Sequence, residues 1–172
     1  MGDDAFEIAP ESPFARLDDA ETRAWYAYMK VQLRIRYELN RQLRDDSGIS
    51  LADYDVLVGL VSDERGTLTI TDLATRIGGE RSRLSHHVKR MAARGLVEIG
   101  ASESDRRASV VTLTARGRAT LADAAPAHVD FVRRAFLSAL DGAELAAFAG
   151  SLESIYERLL EHGTLPRPVD HP

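Results

Sequence analysis

The chain contains no cysteine, which excludes disulfides, thiolate catalysis and thiol-based redox sensing. Proline is nearly absent from its interior. Five of the six prolines stand near the ends (Pro10, Pro13, Pro166, Pro168 and Pro172), so residues 1–15 and 163–172 read as flexible tails. No apolar run approaches the roughly 20 residues that span a bilayer. The acidic start "MGDDAFEIAP" lacks the basic and apolar segments of a secretory signal, so the expected location is cytoplasmic. Catalytic signatures are missing too: there is no GxSxG elbow, no GxGxxG after a strand and no Walker loop. Isolated carboxylates are plentiful, but on amphipathic helices these are solvated faces. The expectation is a protein that is not an enzyme and carries no cofactor. No internal repeat or low-complexity tract is present.

What is there suits one globular domain. The 172 residues are 44% hydrophobic and 28% charged, enough apolar material for a real core. The formal net charge of −5 speaks against a polyanion partner only until its distribution is considered. Between Arg76 and Arg118 ten basic residues face four acidic ones, a local charge of +6, so the remainder carries −11. A localised basic block in an acidic protein fits a nucleic-acid footprint, and a solvated charged face equally.

Periodicity supplies the elements. Asp18 with Glu21 resembles a capping box and opens a long helix to about residue 44; Ser50 with Asp53 repeats the pattern and starts a second, to about residue 62. "ITDLATRIGG" places Ile70, Leu73, Ala74 and Ile77 on one face of a short helix stopped by glycines. The next helix runs from about Glu80 to Arg94. In it Leu84, Val88 and Met91 face a core, while Ser82, Arg83, His86, Lys89 and Arg90 point the other way. "LVEIGA" and "ASVVTLT" read as two short strands around the turn "SESDRR". Thr114 caps a further helix that Pro126 is expected to kink or break near residues 122–125, and Asp141 with Glu144 starts a last helix to about residue 161. The fold class is mainly α with a small β-hairpin wing: a winged helix-turn-helix at about 51–114, flanked by long helices at about 18–44 and 115–161. Together they make a single domain over 16–162.

The adjacent pair His86–His87 diverges by about 100° on a helix, and neither partners another histidine at i+3 or i+4, the spacing a helical zinc pair needs. No metal site is expected. His87, turned toward Met91, reads as a partly buried packing residue, and His86 as either solvated or a nucleic-acid contact. In the last helix Leu145, Phe148, Leu152, Ile155 and Leu159 recur at steps of three and four, a coiled-coil-like seam. That seam, with the broadly apolar first helix, reads as ordinary packing or as a dimer interface. Trp25, Tyr26, Met29 and Tyr54, with Arg36 as an anion partner, are candidates to wall an aromatic pocket; core and interface packing is the competing reading.

Residues 51–117 closely resemble the MarR family of winged helix-turn-helix transcriptional regulators. The resemblance rests on "LADYDVLVGL", on "ITDLATRIGGERSRLSHHVKRMAARGLVEI" and above all on "DRRASVVTLTARG". In the last piece Asp105, Arg107, Leu113, Thr114 and Gly117 fall at the family's D-x-R…L-T-x-x-G spacing. The likeness implies a homodimer joined through the first and last helices. It also implies recognition helices in successive major grooves of double-stranded DNA, wings in minor grooves, and a pocket for a small ligand, often an aromatic acid. On that basis Ser82, Arg83 and His86 are expected near base edges, Lys89, Arg90 and Arg106 at phosphates, and Arg107 in a minor groove with Asp105 positioning it. Many members have arginine where this chain has His86. The absence of cysteine rules out the peroxide-sensing branch, and the histidine spacing argues against the zinc-sensing one. The expected function is a homodimeric repressor released from a pseudo-palindromic operator by a small ligand. Alternatives are a winged-helix protein-interaction module without DNA binding, and a metal-dependent regulator.

Overall fold

The computed structural model describes residues 9–102 and 108–168, which form two compact units divided after Glu38. In the first, Ser12 caps a 3-10 turn, Pro13–Arg16. Helix α1 (Asp19–Ser47) starts here and runs on into the second unit. Its start is closed reciprocally: the Asp18 carboxylate accepts from the Glu21 N–H at 2.8 Å, and Glu21 accepts from the Asp18 N–H at 3.0 Å. Trp25 and Tyr28 rings lie 5.3 Å apart, Tyr26 meets Phe14 edge-on at 6.0 Å, and the Lys30 ammonium stands 4.7 Å above the Tyr26 ring.

The second unit contains the end of α1, then α2 (Leu51–Val61), β1 (Thr67–Thr69), α3 (Ile70–Arg76), α4 (Arg81–Ala93), β2 (Val97–Ala101), β3 (Ser109–Leu113), α5 (Ala115–Ala135) and α6 (Gly142–His162). Leu73, Ala74, Leu84, Val88 and Met91, core-facing by periodicity, lie in its core. Leu43, Leu57, Leu60, Leu73, Val88, Met91 and Val111 are all inaccessible to solvent, each burial contributing about 1.5–3 kcal/mol. α2 is apolar around most of its surface because α3, α5 and β3 all pack on it.

Two local expectations change. The strands form an antiparallel sheet of three, ordered β1-β3-β2, where a two-stranded hairpin was expected. β1 is only Thr67–Thr69, too short to show alternation. It is held by pairing with Thr112, Val111 and Val110, and by a 3.0 Å bond between the Thr67 and Thr112 hydroxyls. Nor does Pro126 break its helix: α5 runs unbroken from Ala115 to Ala135. Pro126 and Ala122 both sit on the solvent face, so the carbonyl that proline's missing N–H leaves free is open to water. The interruption comes later, at Phe136, where a 3-10 turn over Leu137–Ala139 leads into α6 at a bend of 100°.

The "LTARG" segment explains itself in the folded chain. Thr114 caps α5 by accepting from the Gly117 N–H at 2.9 Å, and its own hydroxyl reaches the carbonyls of Gly95 at 2.7 Å and Leu96 at 3.0 Å. A side chain on Gly117 would put its Cβ 2.1 Å from the Leu96 oxygen. Only glycine lets α5 enter so close to the turn that ends α4. No single helix among the described residues is long and apolar enough to cross a membrane.

Candidate nucleic-acid interface

Helix α4 has one buried and one open side. Leu84, Val88 and Met91 are in the core, while Ser82, Arg83, His86, Lys89 and Arg90 are exposed, matching the division expected from 100° per residue. The Glu80 side chain does not cap the helix. It instead pairs with the Arg83 guanidinium at 3.3 Å, a surface contact of small energetic worth that is easily exchanged for another anion. The N-terminal half of α4 thus presents hydroxyl, imidazole and guanidinium groups to solvent without a competing apolar patch.

The basic block divides once folded. Arg76 donates to the Gly59 carbonyl at 2.9 Å and ties α3 to α2. Arg94 donates to Asp53 at 2.8 Å and reaches the Gly48 carbonyl at 3.3 Å. These two serve the fold. Arg106 and Arg107, with Asp105, lie outside the described residues, so the wing's expected minor-groove contacts have no structural account here.

Sequence reasoning missed the importance of Asp53. Beyond its part in the α2 capping box with Ser50 (2.9 and 3.1 Å), its buried carboxylate gathers Arg94 and His87 from α4. Burial works against the charge. The His87, Arg94 and Ser50 contacts outweigh it and hold the carboxyl far below the usual carboxylate range. His87 is half-buried, as expected, and adds a polar contact with Asp53 that its spacing did not announce. Its Nε2 sits 3.1 Å from Asp53 Oδ1, buried but out of hydrogen-bond alignment, and its Nδ1 lies 3.2 Å from Arg90 Nη2. The i, i+3 spacing of His87 and Arg90 was visible in the sequence; the partner 34 residues upstream was not.

A second buried polar cluster joins Gln42, Tyr54 and His128. His128 Nδ1 is 3.0 Å from Gln42 Oε1, and its ring lies 4.3 Å from that of Tyr54. Desolvation pushes the imidazole below its ordinary pKa and raises that of the Tyr54 phenol. Of the candidate ligand residues, Tyr54 is half-buried against the His128 ring. Trp25, Tyr26 and Arg36 are exposed and Met29 is half-buried in the N-terminal unit. On α6, Leu145, Leu152, Ile155 and Leu159 are 37–63% exposed; Phe148 is half-buried and meets Phe136 edge-on at 5.9 Å. Among the described residues no three metal-capable side chains converge.

Residues 47–108 match the model of the MarR family. Among solved structures, the chain is 35% identical to AbsC, a MarR family transcriptional regulator from Streptomyces coelicolor, over 85% of this chain and 98% of that one, with a TM-score of 0.78. It is 33% identical to Sco3205, a MarR family regulator from the same organism solved in complex with DNA, over 87% and 97% of the two chains, with a TM-score of 0.81.

The chain belongs to the MarR family of transcriptional regulators.

A more distant likeness, in fold alone, is to the organohalide-sensing RdhR-CbdbA1625 transcriptional regulator in its 2,4-dichlorophenol-bound form. It is 19% identical over 96% of this chain and 98% of that one, with a TM-score of 0.75. No curated protein matches the chain. The family placement also gives the mainly helical architecture with its small antiparallel wing a role, that of a transcriptional regulator and not of an enzyme.

Proposed function

We propose that this chain is a cytoplasmic, homodimeric repressor that binds a pseudo-palindromic operator and is released by a small ligand. The observation that carries the proposal is the exposed polar and cationic face of α4, set opposite a fully buried apolar one in a protein that is acidic overall. A helix anchored on one side by its core and bare on the other fits the major groove, about 12 Å wide. Ser82, Arg83 and His86 then approach base edges, while Lys89 and Arg90 hold phosphates. In the wing, Arg107 enters the minor groove with Asp105 restraining its guanidinium, and Arg106 takes a flanking phosphate. The DNA complex of Sco3205 supports this reading by kinship.

Dimerisation draws support from the apolar side chains left open on α6 (Leu145, Leu152, Ile155 and Leu159), together with those of Trp25, Tyr28, Leu33 and Tyr37 on α1. A dimer spaces two recognition helices about one helical turn of DNA apart. Trp25, Tyr26, Met29 and Arg36 on α1, and separately Tyr54 on α2, remain candidate effector-binding residues, aromatic acids the candidate class. An effector that favours a different spacing of the two reading heads lowers operator affinity by its differential affinity for the two states.

The test is an electrophoretic shift on the DNA upstream of the chain's own coding sequence, with and without chelator, followed by a panel of aromatic carboxylates. Binding that ignores chelator and is relieved by one of the acids is the expected result, accompanied by quenching of Trp25 fluorescence. Failure to bind any duplex contradicts the DNA-binding function. Loss of binding with chelator contradicts a metal-free mechanism, and indifference to the whole panel contradicts the acid effector.

A further inference from the structure

The buried carboxylate of Asp53 and the exposed guanidinium of Arg90 are joined by one ring. The Asp53 carboxylate accepts from the Ser50 backbone N–H and the Arg94 guanidinium, its own N–H donates to the Ser50 hydroxyl, and the His87 ring lies beside it. Its ionised state at neutral pH sets the chemistry of the ring beside it. A carboxylate oxygen 3.1 Å from Nε2, though out of hydrogen-bond line, favours a proton on that nitrogen through its charge. In the neutral ring Nδ1 is then a lone-pair acceptor, and the group facing it at 3.2 Å is Arg90 Nη2, which has only protons to offer. The two contacts select the same tautomer, so the ring transmits a direction from the base of α2 to the open face of α4.

We propose that His87 is a positioning residue for DNA binding: held between Asp53 and Arg90, it fixes the direction in which Arg90 meets a backbone phosphate. The inference rests on the DNA-binding function proposed above. Arginine is a long, rotamer-rich side chain, and a phosphate contact made by a free one gives up that freedom on binding. Here one guanidinium nitrogen is already engaged on the protein side, with the other donors left for phosphate oxygens. Lys89 has no such partner among the described contacts, and its neighbour His86 is exposed. The two cations at the end of the outward face therefore differ in kind: Arg90 is preset, Lys89 is adaptable.

The experiment is a double-mutant cycle on the full-length protein, read by fluorescence anisotropy on two probes: the upstream duplex and a mixed-sequence duplex. Arg90→Gln should weaken both and shrink the log–log salt slope by about 0.9, the signature of one lost phosphate contact. His87→Ala should weaken both severalfold in the wild-type background and have no further effect in the Arg90→Gln background. His87→Gln supplies the control for folding. Its amide keeps a donor near the Nε2 position for Asp53, so thermal stability should stay near wild type, but it offers Arg90 no acceptor at the Nδ1 position, and binding should fall as in His87→Ala. The proposal is overturned if His87→Gln binds like wild type, or if the His87→Ala loss persists undiminished without Arg90. Failure of the wild-type protein to bind either duplex is a different result, one that removes the DNA-binding function itself.

Discussion

Asp53 shows how far a single position can exceed its sequence signature. The pattern Ser50–Asp53 announces a helix start, and that much is present, with both reciprocal bonds made. Nothing local announces His87 and Arg94, because contacts across 34 and 41 residues exist only once α4 has packed beside α2. The outward residues of α4 were legible for the opposite reason, since their direction depends only on helical phase. Because the Asp53 carboxyl is held below its ordinary 3.8, its charge contributes stability that is fully present above that pH and is lost as pH falls through the lowered folded value. Asp53→Asn should cost about 2 kcal/mol near neutrality, a figure kept low because Arg94 is 43% exposed and its pair is partly screened. Urea unfolding at pH 7 and along an acid series below 3.8 should show the gap between variant and wild type closing. An equal gap at every pH would mean the charge is not its source.

At the scale of elements, boundaries marked by caps were readable and those set by tertiary pairing were not. Thr114 and Asp141 open α5 and α6 as expected, the latter with its full capping box. β1 escaped notice because three residues carry no period, and it exists by virtue of β3 beside it. Pro126 does not break α5, because the cost of proline in a helix depends on whether the freed carbonyl reaches water, and burial is invisible in one dimension. The wing is the element whose test needs mutation most, as its tip from 103 to 107 lies outside the described residues. Arg107→Ala is expected to weaken operator and non-specific binding together and to reduce the salt slope by about 0.9, with Asp105→Ala milder because it removes positioning but no cation. Titrations at several salt concentrations check this. Wild-type affinity in Arg107→Ala at moderate salt would exclude the wing as a DNA contact.

For the whole molecule, the family was legible from three segments, and above all from "DRRASVVTLTARG". Its Thr114 and Gly117 have structural reasons: a helix cap that also grips the preceding turn, and a close approach no side chain allows. The proposed assembly has only a pattern on α6 as its sequence sign, because a single chain's sequence does not distinguish a seam that packs inward from one that waits for a partner. Leu152, Ile155 and Leu159 are 43%, 55% and 63% exposed in the chain alone. Leu152→Glu combined with Ile155→Glu should yield a monomer or an unfolded chain by analytical ultracentrifugation. A folded wild-type monomer at micromolar concentration would contradict the dimer.

The central claim is that the open face of α4 reads DNA, and binding-site selection from a random duplex library tests it most directly. Wild-type protein and His86→Ala should be run side by side, with circular dichroism confirming equal folding. The expected result is a pseudo-palindromic site for the wild type, bound roughly a thousandfold or more tighter than random sequence. In His86→Ala the preference should change at one position of each half-site, where His86 faces the groove, while the rest of the site stays the same. An identical site bound with identical affinity would make His86 a solvated residue. Selection of no site by the wild type would contradict the account outright.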